Sequence, residues 1–245
     1  VAWSGTAAAF NVKSGEELWK KKFCGEVPQD PFSVGINGDV MLACGAAEER
    51  PAGSLAPVIC DTVYGLYAKD GTKLWKYVPG MMFQGQNFTP ALMDDVVVFT
   101  NSKADVCCIK LKDGSEQWKA VPKGVGRSLG GAIVGRNRLV YVAANRPGKK
   151  LWNHPSGGKG TLRAYELKSG ALKWEKEFDL ETHAVPSLLS TGPGGKLVLA
   201  VGLGATPGFP EGNSFGQPLT GDQWEAQIVG LNPETGEQLW TTERL

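Results

Sequence analysis

Side chains that could ligate a metal or act as nucleophiles are few and widely separated in this chain of 245 residues. The cysteines and histidines are Cys24, Cys44, Cys60, Cys107, Cys108, His154 and His183. The cysteines have no zinc-site spacing, and the histidines lie 29 residues apart in no ligand motif. These residue types therefore predict no metal centre.

Nucleotide-binding and catalytic motifs are also incomplete. Gly124-x-Gly126 and Gly202-x-Gly204 do not complete Gly-x-Gly-x-x-Gly and open no predicted helix, so they indicate turns at strand ends. The adjacent aspartates Asp94 and Asp95 fall where a hairpin turn is expected, and no Gly-x-Ser-x-Gly motif occurs. The sequence thus predicts no catalytic, cofactor-binding or metal-binding residue.

A structural regularity runs through the chain, because a glycine is followed four residues later by a tryptophan five times. The pairs are Gly15 and Trp19, Gly71 and Trp75, Gly114 and Trp118, Gly170 and Trp174, and Gly236 and Trp240. A turn-forming Ser, Asp or Thr precedes each glycine, and the residue six positions before it is always small. Alternating side chains, a turn and a second extended segment predict a β-hairpin repeated five times.

The distances between the hairpins indicate the fold class. Successive tryptophans of these five pairs lie 56, 43, 56 and 66 residues apart, and the shortest interval contains four short predicted strands. No window shows a sustained helical pattern with caps. Four-stranded antiparallel units at this period predict an all-β fold, a β-propeller in which each unit is one blade.

Segments 8–19 and 89–99 resemble the repeat of the quinoprotein-type, or PQQ-like, propeller family, and the resemblance covers almost the whole chain. In that family the blade tryptophan docks against the neighbouring blade, so the resemblance implies this role for Trp19, Trp75, Trp118, Trp174 and Trp240. Many members bind no quinone and act as scaffolds, including bacterial outer-membrane assembly lipoproteins. Family fold alone therefore does not decide between enzyme and scaffold.

The strand count predicts a single domain over residues 1–245 that is incomplete at its N-terminus. The chain is expected to open on the third strand of a blade, at about Gly5 to Val12, and to end on a fourth strand at Trp240. That leaves four complete blades and one half blade. The resemblance implies part of a seven- or eight-bladed ring. A five-bladed ring with one thin blade, or an open arc whose edge a partner covers, are the alternatives.

Two cysteine pairs have alternative interpretations. Cys44 and Cys60 flank one long loop, so they are either a disulfide of an oxidising compartment or two buried thiols. Some quinoprotein alcohol dehydrogenases carry a vicinal disulfide beside the cofactor, which suggests such a bond between Cys107 and Cys108. Because Cys108 occupies the repeat position that is always small, the sequence favours packing residues on opposite strand faces.

Insertions at one place in the repeat predict the interaction surface. They lie between second and third strands, at Gly45–Ile59, Asn145–Gly160 and Gly204–Trp224, and would emerge on one face of the propeller. They carry the aromatic and histidine side chains Trp152, His154, Phe209, Phe215 and Trp224. Exposed aromatics on loops of a rigid scaffold suit a protein interface. The alternative is decoration without a binding role.

The charge distribution adds a basic sector. Residues 117–165 hold 10 basic and no acidic residues, whereas residues 166–245 hold 5 and 11, within a net charge of +1. The candidate interface cations are Arg127, Arg136, Arg138, Arg146, Lys149 and Lys150. Such polarity would steer an acidic protein surface or an anionic membrane face towards the chain. Mutual neutralisation by neighbouring blades is the alternative, and nucleic acid is disfavoured because the basic excess is small.

These observations favour a non-catalytic scaffold that mediates protein–protein interaction within a larger assembly, with no cofactor. The first alternative is a PQQ-dependent dehydrogenase, or a fragment of one, oxidising an alcohol or sugar with PQQ and calcium. The second is a carbohydrate-binding propeller that uses Trp152 and Trp224. The resemblance implies an extracytoplasmic location, in a periplasm or an organelle lumen, and no apolar run is long enough to span a membrane.

Overall fold

The structure, a computed structural model, is built from β-strands throughout its described residues. Those residues are 2–3, 5–25, 34–46, 60–80, 89–101, 103–125, 131–146, 149–151, 154–156, 159–182, 185–190, 195–204 and 226–244. Across these ranges there is no helix, as the sequence predicts. In particular, no described helix has the length and apolar character needed to cross a membrane.

The strands follow one another as antiparallel meanders. In chain order they are β1 (Ala2–Trp3), β2 (Thr6–Phe10), β3 (Glu17–Lys22), β4 (Gly35–Asn37), β5 (Val40–Gly45), β6 (Thr62–Tyr67), β7 (Lys73–Tyr77), β8 (Ala91–Met93), β9 (Val96–Thr100), β10 (Val106–Lys110), β11 (Glu116–Ala120), β12 (Ala132–Val134), β13 (Leu139–Asn145), β14 (Lys149–Leu151), β15 (His154–Ser156), β16 (Gly160–Glu166), β17 (Leu172–Phe178), β18 (Ser187–Ser190), β19 (Leu197–Gly204), β20 (Ala226–Leu231) and β21 (Gln238–Thr241).

The chain divides into two compact units, residues 1–102 with 106–119 and residues 103–105 with 120–245. The first unit contains the three-stranded sheet β1-β2-β3 and the four-stranded sheets β4-β5-β6-β7 and β8-β9-β10-β11. The second contains the four-stranded sheets β12-β13-β16-β17 and β18-β19-β20-β21. The four complete blades are therefore confirmed, and a single domain over residues 1–245 stays a prediction.

Two details differ from the expectation. The first blade does not begin at its third strand, because β1 pairs with β2 through Ala2 opposite Ala7 and Trp3 opposite Thr6. Only one of its two opening strands is therefore missing from the described sheet. The insertion after β13 is also more ordered than a plain loop, since β14 and β15 form an antiparallel hairpin inside it.

Burial follows strand position within a blade. All of β9 and β13 is buried, as are most residues of β5, β6, β10 and β16, whereas β3 and β21 are largely exposed. The buried strands are short apolar runs rich in valine and leucine, which is typical of strands covered on both faces. Each unit has its own core, centred on Leu42, Tyr64 and Phe99 in the first and on Tyr141 and Leu199 in the second.

Each repeated turn is closed by the same three hydrogen bonds. In the second blade the Gly71 amide donates to the Tyr67 carbonyl at 2.7 Å, and the Tyr67 amide donates to the Thr72 carbonyl at 2.7 Å. The third bond runs from the Thr72 amide to the Asp70 carboxylate at 2.8 Å. Ser14, Asp113, Ser169 and Thr235 accept the corresponding amide in the other turns. The turn former before the glycine is thus a local acceptor.

A bulge after the turn explains why one repeat position is always small. Gly65 pairs with Trp75 while Leu66 pairs with Lys73, so Leu74 is the extra residue of the outer strand. The same shift recurs in the first, fourth and fifth blades. A Cβ atom at Gly65 would overlap the Trp75 ring, and one at Gly230 would overlap the Trp240 ring. The small residue therefore makes room for the indole of its own blade.

The opposite side of the indole meets the turn of the next blade. Trp19, Trp75 and Trp174 donate their indole N–H to the carbonyls of Ala68, Leu111 and Pro233, at 3.1, 2.8 and 3.0 Å. Each acceptor lies three residues before the glycine of the next turn. Cβ atoms added at Gly71, Gly114 and Gly236 would lie only 2.6 to 2.7 Å from the respective rings. Trp118 is buried, and Trp240 is 41% exposed.

Two equivalent glycines separate backbone strain from tryptophan contact. Gly15 and Gly71 have φ angles of 73° and 72°, but a Cβ atom meets nothing at Gly15 and the Trp19 ring at Gly71. Gly15→Ala should cost about 1–2 kcal/mol through left-handed strain alone. Gly71→Ala should cost roughly 1–3 kcal/mol more through overpacking. Denaturant unfolding of both variants measures the difference, and equal losses would contradict the docking role of Trp19.

The turn aspartates should titrate at low pH. Side-chain and backbone hydrogen bonds from Thr72 and Ser115 lower the pKa values of Asp70 and Asp113 below the ordinary 3.8. Because the folded-state pKa is the lower one, their stabilisation is fully present above the ordinary value and is lost as pH falls through the lowered value. Carboxyl-carbon NMR titration should therefore give both midpoints below 3.8. A midpoint at or above the ordinary value would show that these acceptor bonds are absent in solution.

Candidate interaction surface

The hairpin β14–β15 is the described part of the predicted long-loop face. It lies between the second and third strands of its blade, and its register pairs Lys149 with Ser156, Lys150 with Pro155 and Leu151 with His154. Lys149, Lys150 and His154 are therefore brought together on one short element. The remaining loop candidates Trp152, Phe209, Phe215 and Trp224, and the cation Arg127, lie outside the described residues.

The predicted basic sector is divided between the two ends of one strand. Arg136 and Arg138 are exposed and precede β13, whereas Arg146 follows it. The seven residues of β13 span about 23 Å at roughly 3.3 Å per residue. Arg136 and Arg138 therefore lie at the opposite end of β13 from the β14–β15 hairpin, so the candidate cations form two separate groups.

Arg146 is held by ion pairs within its own blade. Its guanidinium contacts the Glu175 carboxylate at 2.6 Å and the Glu177 carboxylate at 3.1 Å, and it donates to the Gly124 carbonyl at 3.0 Å. Lys159 also pairs with Glu177, at 3.3 Å. The acid-free stretch is thus partly neutralised by acids of β17, a strand of the same blade, whereas the alternative above placed the neutralising acids in neighbouring blades. These contacts give Arg146 a structural role, and its role as an interface cation stays a prediction.

Arg163 forms the buried centre of this ion-pair cluster. It is 5% exposed, its Nε donates to Glu175 at 2.5 Å, and its Nη2 donates to the Lys123 carbonyl at 3.4 Å. The cluster of Arg146, Lys159, Arg163, Glu175 and Glu177 therefore fastens the segment at residues 123–124 to the blade. In the first unit Lys119 has a similar role, because its ammonium donates to the Pro79 carbonyl at 2.7 Å.

Glu175, Lys119 and Arg163 were absent from the sequence-based candidates. A usable signal was present, because Lys119 and Glu175 both follow a repeat tryptophan directly. Counting the hairpin register from Gly170 also places Arg163 opposite Glu175. No such signal predicts the contacts of Arg163 with the Lys123 carbonyl and of Lys119 with the Pro79 carbonyl, since both depend on tertiary packing.

The cysteines are buried free thiols in the structure. Cys107 and Cys108 are fully buried neighbours in β10, and burial raises the pKa of the Cys108 thiol to about 12. This environment agrees with their interpretation as packing residues. The Cys44–Cys60 disulfide stays a prediction.

No cluster of three or more His, Cys, Asp or Glu side chains is arranged to hold a metal ion within the described ranges. His183 lies outside them, as do parts of all three long loops.

The sequence and the fold of this chain have counterparts among known proteins. The model of the family described as outer membrane protein assembly factor BamB matches residues 1–147. The chain belongs to this family. The PQQ-like repeat resemblance is thereby confirmed, and it extends over more than half of the chain.

One BamB relative comes from Shewanella oneidensis strain MR-1. It is 24% identical over 217 residues, which cover 69% of this chain and 52% of the relative. The crystal structure of BamB from Moraxella catarrhalis matches with a TM-score of 0.58 and 16% identity, over 98% of this chain and 59% of that one. The chain therefore spans about half the length of these relatives.

Quinoprotein enzymes share the same architecture. A europium-containing methanol dehydrogenase matches with a TM-score of 0.62 and 14% identity, over 97% of this chain and 47% of that one. The quinohemoprotein alcohol dehydrogenase ADHIIG from Pseudomonas putida HK5 matches with a TM-score of 0.62 and 15% identity, over 98% and 36%. At this identity the likeness shows the β-propeller fold alone. The PQQ-dependent alternative stays a prediction, as does carbohydrate binding.

Two acids of one strand test the ion-pair cluster. Glu175→Ala removes the carboxylate from Arg163, which is 5% exposed, and should cost about 3 kcal/mol because a buried charge loses its partner. Glu177→Ala is the matched control, since its carboxylate is exposed and screened by water, and should cost much less. Urea unfolding measures both losses, and a larger loss for Glu177→Ala would contradict this assignment.

Proposed function

We propose that this chain is a non-catalytic propeller scaffold that holds protein subunits together in an extracytoplasmic assembly. Its BamB family membership is the observation that carries the proposal. By analogy with its named relatives, the assembly would be one that takes part in outer membrane protein assembly. Because the chain spans about half of those relatives, the proposal concerns the blades present in this sequence.

The division between invariant and variable parts of the repeat supports a scaffold. The tryptophan, the small residue and the turn recur from blade to blade and are used for internal packing. The long insertions recur only at the connection between second and third strands. In the described part, one of them forms the β14–β15 hairpin with two adjacent lysines, Lys149 and Lys150. A partner with an acidic surface would suit this element.

The position of the hairpin argues for direct contact with a partner. Arg146, at the base of the insertion, is bound by Glu175 and Glu177, so the base is fastened to its blade. An element that projects from a rigid base loses less conformational entropy on binding than an untethered loop. Among the described residues of this face, the hairpin is therefore the element suited to recognition.

Copurification tests the scaffold role. The affinity-tagged chain is recovered from membrane extracts of its native cells at low salt, and its stoichiometric partners are quantified by cross-linking and mass spectrometry. We expect one or more protein subunits that link through residues 149–156. Elution as a free chain without a stoichiometric partner at low salt would contradict the proposal.

Charge reversal at the two ends of β13 tests the hairpin. Lys149→Glu with Lys150→Glu should weaken partner binding about tenfold or more, because the reversed charges repel an acidic surface. Arg136→Glu with Arg138→Glu changes the charge equally at the far end and should alter binding less than about twofold. Arg146 stays unchanged, since its loss would disturb the blade itself. Equal effects of the two double variants would remove the hairpin from the interface.

A further inference from the structure

The core of the first unit contains three cysteines from different parts of the chain. Cys24 follows β3, Cys44 lies in β5 and Cys60 precedes β6, and each is 3 to 4% exposed. All three belong to one apolar cluster with Phe23 and Tyr64. The repeat pattern does not require thiols here, because only one of the three long insertions is flanked by two cysteines.

The backbone places Cys44 and Cys60 on the same face of the sheet. Gly45 pairs with Thr62, and its carbonyl also accepts the Asp61 amide at 3.1 Å. Asp61 and Thr62 therefore both lie opposite Gly45, as in a β-bulge. The alternation of side chains between the two faces of the sheet consequently shifts by one residue at this point. The shift turns Cys60 to the face that carries Cys44. The two thiols accordingly lie on the same face and close enough for Cys60 to raise the pKa of Cys44.

Cys24 occupies the other face. A Cβ atom added at Gly45 would overlap the Cys24 sulfur, so that sulfur packs against the side of β5 opposite to the Cys44 side chain. The Cys24 thiol donates to the Gly25 carbonyl at 3.3 Å. Cys24 is therefore less able than Cys60 to reach Cys44.

The geometry points to Cys44 and Cys60 as a disulfide-forming modification site that closes the insertion at residues 45–59. The oxidant is a disulfide-bearing partner, either a small molecule such as oxidised glutathione or a protein. One cysteine thiolate attacks that disulfide, forms a mixed disulfide and releases one thiol. The second cysteine then displaces the other thiol, so two cysteine thiols are oxidised, one external disulfide is reduced, and the two cysteine protons end on the two released thiols.

Burial shapes the conditions under which the bond forms. It raises the pKa of Cys44 well above the ordinary value of 9.0, so the thiolate is scarce in the folded chain. The bond should therefore form mainly as the chain folds in an oxidising medium, and slowly in the folded, reduced protein. Once formed, it constrains one of the three long insertions of the predicted interaction surface.

Peptide mapping after Glu-C digestion tests the pairing. Trypsin cannot separate the three cysteines, because Arg50 precedes Pro51 and no other lysine or arginine lies between Lys22 and Lys69. Glu-C separates them by cutting after Glu26, Glu48 and Glu49, and trypsin added with it cuts after Lys69, which separates Cys60 from Cys107 and Cys108. The full chain is refolded with reduced and oxidised glutathione, blocked with iodoacetamide and digested without reductant. We expect the peptides of Cys44 and Cys60 to be joined and that of Cys24 to be alkylated.

Thiol counts in matched variants provide the second readout. The chain has five cysteines, so the refolded protein should retain three free thiols. Cys44→Ser and Cys60→Ser should each retain all four remaining thiols, whereas the control Cys108→Ser should fall from four to two. The bond should also raise the thermal midpoint, and reductant should lower it in the parent but not in Cys60→Ser. A bond to Cys24, a bond between Cys107 and Cys108 alone, or five free thiols would overturn the assignment.

Discussion

The rest of this structure depends on the tryptophan clamp, in which an indole packs between the small residue of its own blade and the turn of the next blade. Trp75 lies between Gly65 of its own blade and the Gly114 turn of the next, and its indole N–H reaches the Leu111 carbonyl. Half-burial of an indole contributes on the order of 2–3 kcal/mol, against about 1 kcal/mol net for the hydrogen bond. Packing therefore supplies most of the stabilisation, while the directional hydrogen bond sets the register between blades.

A repeat stabilised in this way leaves the connections between strands free to vary. The clamp uses only the third strand, the turn and the fourth strand, so an insertion between the second and third strands does not disturb it. The β14–β15 hairpin occurs at that connection. The cluster around Arg163 fastens the strand-linking segment at residues 123–124 independently of the tryptophan. One blade can therefore combine the repeated tryptophan packing with an insertion that differs from blade to blade.

Most of the fold could be predicted from local pattern. Alternation of period two, the Ser/Asp-Gly turn and the repeat spacing are local signals, and they anticipated four complete blades and the insertion that contains the β14–β15 hairpin. Local sequence patterns predicted the candidate interaction surface less well than the fold. Charge along the sequence suggested one basic sector, but β13 separates Arg138 from Arg146 by its full length, and acids of β17 bind Arg146. The order of charged residues along the sequence does not show which acidic residue pairs with which basic residue in the folded chain.

The sequence by itself determined the hairpins, their turns, the small residue opposite each tryptophan and membership of a repeat family. These follow from contacts between residues close together in the chain. Only the tertiary structure decided that Arg163 reaches the Lys123 carbonyl, that Lys119 reaches Pro79 and that a bulge turns Cys60 towards Cys44. Such contacts depend on register shifts and on packing between separate segments, where a displacement of one residue reverses the side of the sheet that a side chain occupies.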